Sequence, residues 1–255
     1  MSSGRRRLPV FAANWKTNHG PREARSFIRS FLDDYPFADD RRVIFFPPAL
    51  SVTAVVEVVA ERSDIKVGVQ NIYHMDKGAY TGEISAPLAR EAGAEYCIVG
   101  HSERREIFEE TDDQVRLKCI AALRSRLSPL LCVGESRYER MEGRTAEVVG
   151  KQLRSVMSGM DASQIAALSI AYEPIWAIGS GETATPQDAS DVHRHLRFLL
   201  RQAAGPTVAD NIHLLYGGSV NPENVAELLA VPEVDGVLVG GASLKVESWL
   251  RIVRA

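Results

Sequence analysis

Glu173 stands directly before Pro174 at the end of an apolar run, Leu168 to Tyr172. Ile175-Trp176-Ala177-Ile178 and then Gly179-Ser180-Gly181 follow it. A strand-ending carboxylate, a stiff proline, an apolar middle and a flexible finish together suit a general base under a hinged loop. Loops usually carry polar residues, so a tryptophan inside this one implies that it covers something. A second candidate lies in Gly100-His101-Ser102-Glu103-Arg104-Arg105. Ser102 is able to cap the helix that follows, which puts His101 at a helix N-terminus. The positive end of a helix disfavours an imidazolium, and a neutral imidazole can donate a hydrogen bond to a developing oxyanion. Arg104 and Arg105 are expected to serve as structural ion-pair partners. Asn14-Trp15-Lys16 adds an amide and a cation. Tyr216-Gly217-Gly218-Ser219 and Gly240-Gly241-Ala242-Ser243 add two glycine pairs, whose backbone N–H groups can approach an anion closely.

Each of these groups sits just after a short apolar, β-branched run. Such runs end near Ala13, Phe46, Val69, Val99, Val133, Tyr172, Tyr216 and Val239, which predicts eight strands. Helical patterns lie between them. Phe27, Ile28, Phe31 and Leu32 share one face, as do Val192, Leu196, Leu199 and Leu200. Thr185-Pro186 supplies an N-cap and a first-turn proline for the latter helix. Alternating strands and helices imply parallel strands covered by helices. Runs such as Val43–Phe46 and Val237–Val239 lack polar alternation, as expected of strands buried on both faces. The predicted fold class is α/β, a closed (β/α)8 barrel. No G-x-G-x-x-G follows the first run, which weighs against an open dinucleotide-binding sheet. With no linker or low-complexity stretch, residues 1–255 are expected to form one domain, with 1–7 a flexible tail. In barrels of this kind chemistry gathers where strands run into their following loops, and the last two loops commonly bind phosphate.

Composition narrows the classes further. A net charge of −3 argues against a general nucleic-acid or membrane-surface role. The three cysteines, Cys97, Cys119 and Cys132, show no C-x-x-C spacing, so neither a disulfide framework nor a zinc site is expected. The basic start lacks the apolar core of a secretion signal, and no run approaches the ~20 residues that span a bilayer. A cytoplasmic location is therefore expected. The strand ends offer a base, a hydrogen-bond donor, one lysine and a phosphate cradle, but no nucleophile–base pair, nucleotide motif or metal cluster. That set suits proton abstraction beside the carbonyl of a small phosphorylated sugar, with stabilisation of the enediolate and no cofactor.

From about Leu8 onward the chain resembles the triosephosphate isomerase family. The matching motifs are Asn14-Trp-Lys16, Gly100-His-Ser-Glu-Arg-Arg105, Ala171-Tyr-Glu-Pro-Ile-Trp-Ala-Ile-Gly179, Tyr216-Gly-Gly-Ser219 and Gly240-Gly-Ala-Ser243. The resemblance implies that Glu173 moves a proton between two carbons and that His101 is a neutral electrophile. It implies that Asn14 and Lys16 hold the developing charge, with Glu103 ordering the lysine. Gly179, Ser219, Gly240 and Gly241 would hold phosphate, and Pro174–Gly179 would be a lid that excludes water. The long segment Gln70-Asn71 through Thr81-Gly82-Glu83 would insert into a second copy, making a homodimer in which Thr81 approaches the partner's site. The implied reaction interconverts dihydroxyacetone phosphate and glyceraldehyde 3-phosphate. An aldose–ketose isomerase for a four-carbon sugar phosphate would need the same groups, and a non-catalytic phosphate-binding barrel would need no base beside a lid. Thr17, Ala13, Ser180 and Glu182 depart from the family pattern. Of these, Ser180 and Glu182 bear on the lid's hinge, and Glu182 adds negative charge near the mouth.

Overall fold

The eight apolar runs form strands in chain order: β1 (Val10–Asn14), β2 (Arg42–Phe46), β3 (Ile65–Val69), β4 (Tyr96–Val99), β5 (Ser128–Val133), β6 (Ser169–Tyr172), β7 (Leu214–Tyr216) and β8 (Gly236–Val239). All are parallel, each pairs with its sequence neighbour, and β8 closes on β1 through Val10↔Gly236 to Ala13↔Val239. The computed structural model describes residues 7–178, 182 and 184–255. Seven strand ends fall where the sequence places them. β1 runs one residue further than Ala13, because Asn14 still pairs with Phe46.

Side chains alternate across each strand, so every second residue points into the barrel. Val10, Ala12, Ile44, Phe46, Ile98, Leu130, Cys132, Ala171, Leu215 and Leu238 form that interior cluster. Their neighbours, including Phe11, Val43, Phe45, Val99, Val133 and Tyr172, pack outward against the helices. The predicted helical faces behave accordingly: Phe27, Ile28 and Phe31 are buried, as are Val192, Leu196, Leu199 and Leu200. Thr185 caps the helix Pro186–Ala204 reciprocally with Asp188. Continuing the alternation to Asn14 at the end of β1, and one step past the ends of β5, β6, β7 and β8, brings Asn14, Gly134, Glu173, Gly217 and Gly240 onto the inner face of the rim. Period two therefore places the carboxylate and the amide over the barrel axis, among residues too small to fill the mouth.

Candidate active site

Glu173 is 2% exposed, and its carboxylate is held at both oxygens. Ser102 N donates to Oε2 at 2.9 Å, and Oε1 lies 3.0 Å from His101 Nε2. Its other neighbour is the Cys132 thiol, which burial, and then the nearby Glu173 charge, push well above the ordinary range, so it stays protonated there. Gly217 lets the carboxylate stem lie close, since a Cβ there would meet Glu173 Cγ at 3.0 Å and Tyr172 O at 3.3 Å and would press on both.

The chain bends at Gly100, whose φ of +74° favours glycine. This turn corrects one expectation from the sequence. The cap of the helix Ser102–Ile107 is His101 itself, and Ser102 is already the first helical residue. His101 Nδ1 accepts the Glu103 backbone N–H at 3.2 Å. An acceptor nitrogen carries no proton, so the geometry assigns a neutral ring with its hydrogen on Nε2, the nitrogen facing Glu173. Arg105 braces the turn by donating from Nε to Gly100 O at 2.8 Å while pairing with Asp112, and Arg104 pairs with Glu110. Both arginines are structural partners, as expected.

Lys16 Nζ lies 2.6 Å from Glu103 Oε1, the expected ordering contact. Asn14 Oδ1 accepts the Lys16 backbone N–H at 3.0 Å. Asn14, Lys16, His101, Glu173, Ser219, Gly240 and Gly241 all line one cavity of about 280 Å³, with Ile178, Val220 and Leu238 as apolar walls. A Cβ at Gly241 would meet nothing within 4 Å, so its bare backbone is not a packing requirement and leaves room for a ligand. Gly179 and Ser180 lie outside the described residues. Thr81 is exposed and is not part of the cavity wall. Among the described residues no group of three or more His, Cys, Asp or Glu is placed to hold a metal.

Glu135 is a buried carboxylate beside the site that was not singled out from the sequence. It is fully buried and accepts from Tyr172 OH and Trp176 Nε1, each at 3.0 Å. Burial, opposed by those bonds, raises its carboxyl above the usual range. The Arg140 guanidinium stacks 4.4 Å from the Trp176 ring. The beginning of the loop after β6 is thereby anchored to the loop after β5. The signal was available, since Glu135 lies two residues past the end of β5, one step beyond the position that Glu173 takes after β6.

A closed parallel barrel whose rim brings a buried carboxylate, a neutral imidazole, a lysine and glycine turns into one cavity defines an acid–base barrel enzyme. Comparison with known proteins makes this specific. The family model for triosephosphate isomerase matches residues 9–255. The chain is 46% identical over 247 residues to the triosephosphate isomerase of Roseiflexus sp. (strain RS-1), covering 97% of each chain. It is 47% identical to that of Moorella thermoacetica, covering 97% of this chain and 98% of the relative. The crystal structure of triosephosphate isomerase from Bartonella henselae superposes with a TM-score of 0.86 at 36% identity, covering 96% of this chain and 98% of the other. The chain belongs to the triosephosphate isomerase family.

Proposed function

We propose that this chain interconverts dihydroxyacetone phosphate and D-glyceraldehyde 3-phosphate by proton transfer through an enediolate. The observation that carries the reading is the Glu173–His101 pair at 3.0 Å, with Nδ1 already occupied as an acceptor, at the base of a cavity walled by the glycine turns after β7 and β8. The substrate phosphate is held by backbone N–H groups of Ser219, Gly240 and Gly241, with Gly179 completing the cradle. The Glu173 carboxylate removes the proton from the carbon beside the carbonyl. The His101 Nε2–H donates to the carbonyl oxygen as it gains charge, and Lys16 Nζ and Asn14 stabilise that charge further. The proton returns to the neighbouring carbon. His101 Nε2 meanwhile gives its proton to the former carbonyl oxygen and takes one back from the former hydroxyl oxygen, which becomes the new carbonyl. Every step is a proton transfer, so the reaction needs no redox cofactor. Closure of Pro174–Gly179 excludes water and protects the enediolate from losing phosphate. For this to occur, Glu173 exchanges Ser102 N and His101 for the substrate.

A coupled assay with glyceraldehyde 3-phosphate is expected to show turnover without added cofactor, and kcat/KM is expected to be higher for the three-carbon than for a four-carbon sugar phosphate. The reverse preference would overturn the substrate assignment.

The functional unit in this reading is a cytoplasmic homodimer. Residues 70–85 form a loop closed on itself by Tyr73 N to Ile84 O, and Tyr73 packs on Tyr80 at 4.7 Å. Leu50, Met75, Leu88, Ile107 and Phe108 are exposed on the segments following β2, β3 and β4. Large apolar side chains gathered on neighbouring loops favour a second copy as their cover. Sedimentation at micromolar concentration is expected to give the mass of two chains, and a fully active monomer would refute the loop exchange. Three unpaired, buried cysteines suit a reducing compartment.

A further inference from the structure

Lys16 has a left-handed backbone, with φ +50°, which a lysine adopts only when its surroundings impose it. One side of the residue is held by Asn14, whose Oδ1 accepts the Lys16 N–H. The other side is held by a residue with no role in the reaction described above. Gln70 Nε2 donates one hydrogen to Lys16 O at 2.8 Å and the other to Phe46 O at 2.8 Å. Phe46 O also accepts Trp15 N at 3.2 Å. Gln70 follows the last residue of β3, Phe46 ends β2, and Lys16 lies just beyond β1. One half-buried amide therefore ties three adjacent strand ends together at the point where the backbone is strained. The side chain of Lys16 then crosses the mouth to Glu103 and packs against Gly240.

We propose that Gln70 is a positioning residue for Lys16: its two amide hydrogens fix the left-handed backbone that aims the ammonium group into the cavity. The chemistry fits an amide and no near relative. A glutamate would turn two donors into acceptors facing two carbonyl oxygens, and a methionine would fill the space with no donor. The inference rests on the proposed function only in assigning Lys16 to substrate charge.

Gln70→Met is the first test, because it keeps length and volume, and Gln70→Glu is the second. The readouts are kcat and KM for glyceraldehyde 3-phosphate, inhibition by inorganic phosphate, and the thermal midpoint. Gln70→Met is expected to lower kcat/KM about tenfold, with weaker inhibition by phosphate, and Gln70→Glu is expected to lower it at least as far. In a Lys16→Ala background Gln70→Met is expected to change kcat/KM less than twofold, because there is no ammonium left to aim. A lowered thermal midpoint with unchanged kcat/KM would overturn the proposal and leave Gln70 structural. Losses that multiply in the double variant would also overturn it. Full activity in Lys16→Ala alone would remove Lys16 from the reaction and the proposal with it.

Discussion

His101 presents two different nitrogens to its surroundings, and the difference follows from where it sits. As the residue just before a helix it offers Nδ1 to a backbone N–H that has no partner within the helix, which leaves Nε2 as the ring's donor, facing Glu173. The acid–base pair is thus set by backbone hydrogen bonds from one short turn, with Ser102 N holding the second carboxylate oxygen. A carboxylate placed this closely is sensitive to reach. Glu173→Asp retracts it by one methylene, and kcat is expected to fall by about 100-fold or more, the scale of a roughly 1 Å misplacement. Inhibition by inorganic phosphate is expected to change little, because Ser219, Gly240 and Gly241 belong to other loops. Turnover near the parent's would remove Glu173 from its role. That Glu173 and His101 meet at the rim was legible in the sequence, because each follows directly on the end of a predicted strand or its first turn residue. The cap was misplaced by one residue, because it depends on the positive φ of Gly100, and a glycine in a sequence permits that angle without announcing it.

At the scale of elements, the strands were legible because parallel strands buried on both faces read as unbroken apolar runs, and the period of two carried that reading onto the rim. Contacts between loops were not legible, since they depend on where separate loops come to lie. Glu182, placed by the sequence at the lid's hinge as added negative charge near the mouth, pairs with Arg137 of the neighbouring loop at 3.0 Å. Arg137 also donates to Trp176 O at 3.3 Å, while Arg140 and Glu135 hold the tryptophan ring. The helix Arg137–Met141 thereby engages both Trp176 and Glu182 in a conformation where Glu173 is bonded to Ser102 and His101. Both partners of the ion pair are more than half exposed, so it contributes only ~0.2–1 kcal/mol, a factor of about 1.4 to 5 in the equilibrium of any loop closure it opposes. Glu182→Gln is expected to tighten binding of a phosphorylated carboxylate analogue of the enediolate by that factor. In an Arg137→Leu background the same substitution is expected to have a smaller effect. Equal tightening in both backgrounds would reduce Glu182 to a contributor to the general field at the mouth.

At the scale of the whole molecule, the barrel separates chemistry from stability by placing them at opposite ends. At the N-terminal end of the strands, Asp235 accepts from Arg197, from Arg7 and from Leu214 N, at 2.8, 2.6 and 2.9 Å. Arg197 is 2% exposed and also bonds Glu233 and the carbonyls of Ala209 and Ile212. His193 completes this base. It is fully buried on the helix Pro186–Ala204, with Nδ1 donating to Glu233 O at 2.8 Å and its ring edge-on to Tyr172. Its Nε2 has no hydrogen-bond partner among the described residues, so a proton there would be a buried cation with an unmet donor. Burial accordingly lowers its pKa to about 4, with Arg197 acting in the same direction and Asp235 and Glu233 opposing. Burial lowers His213 in the same direction. Because the folded state binds this proton less readily than the unfolded chain, the stabilisation is complete above pH 6.5 and is lost as the pH falls from 6.5 to about 4. A shift of this size corresponds to about 3 kcal/mol for His193, with a slope approaching ~1.4 kcal/mol per pH unit. The window lies above the range where Asp64 and Asp188, whose pKa values are lowered, would take up protons. Urea unfolding at fixed protein concentration is expected to show stability falling across this window, and His193→Gln is expected to flatten most of the slope. A slope unchanged by that substitution would show that His193 is not the group taking up the proton.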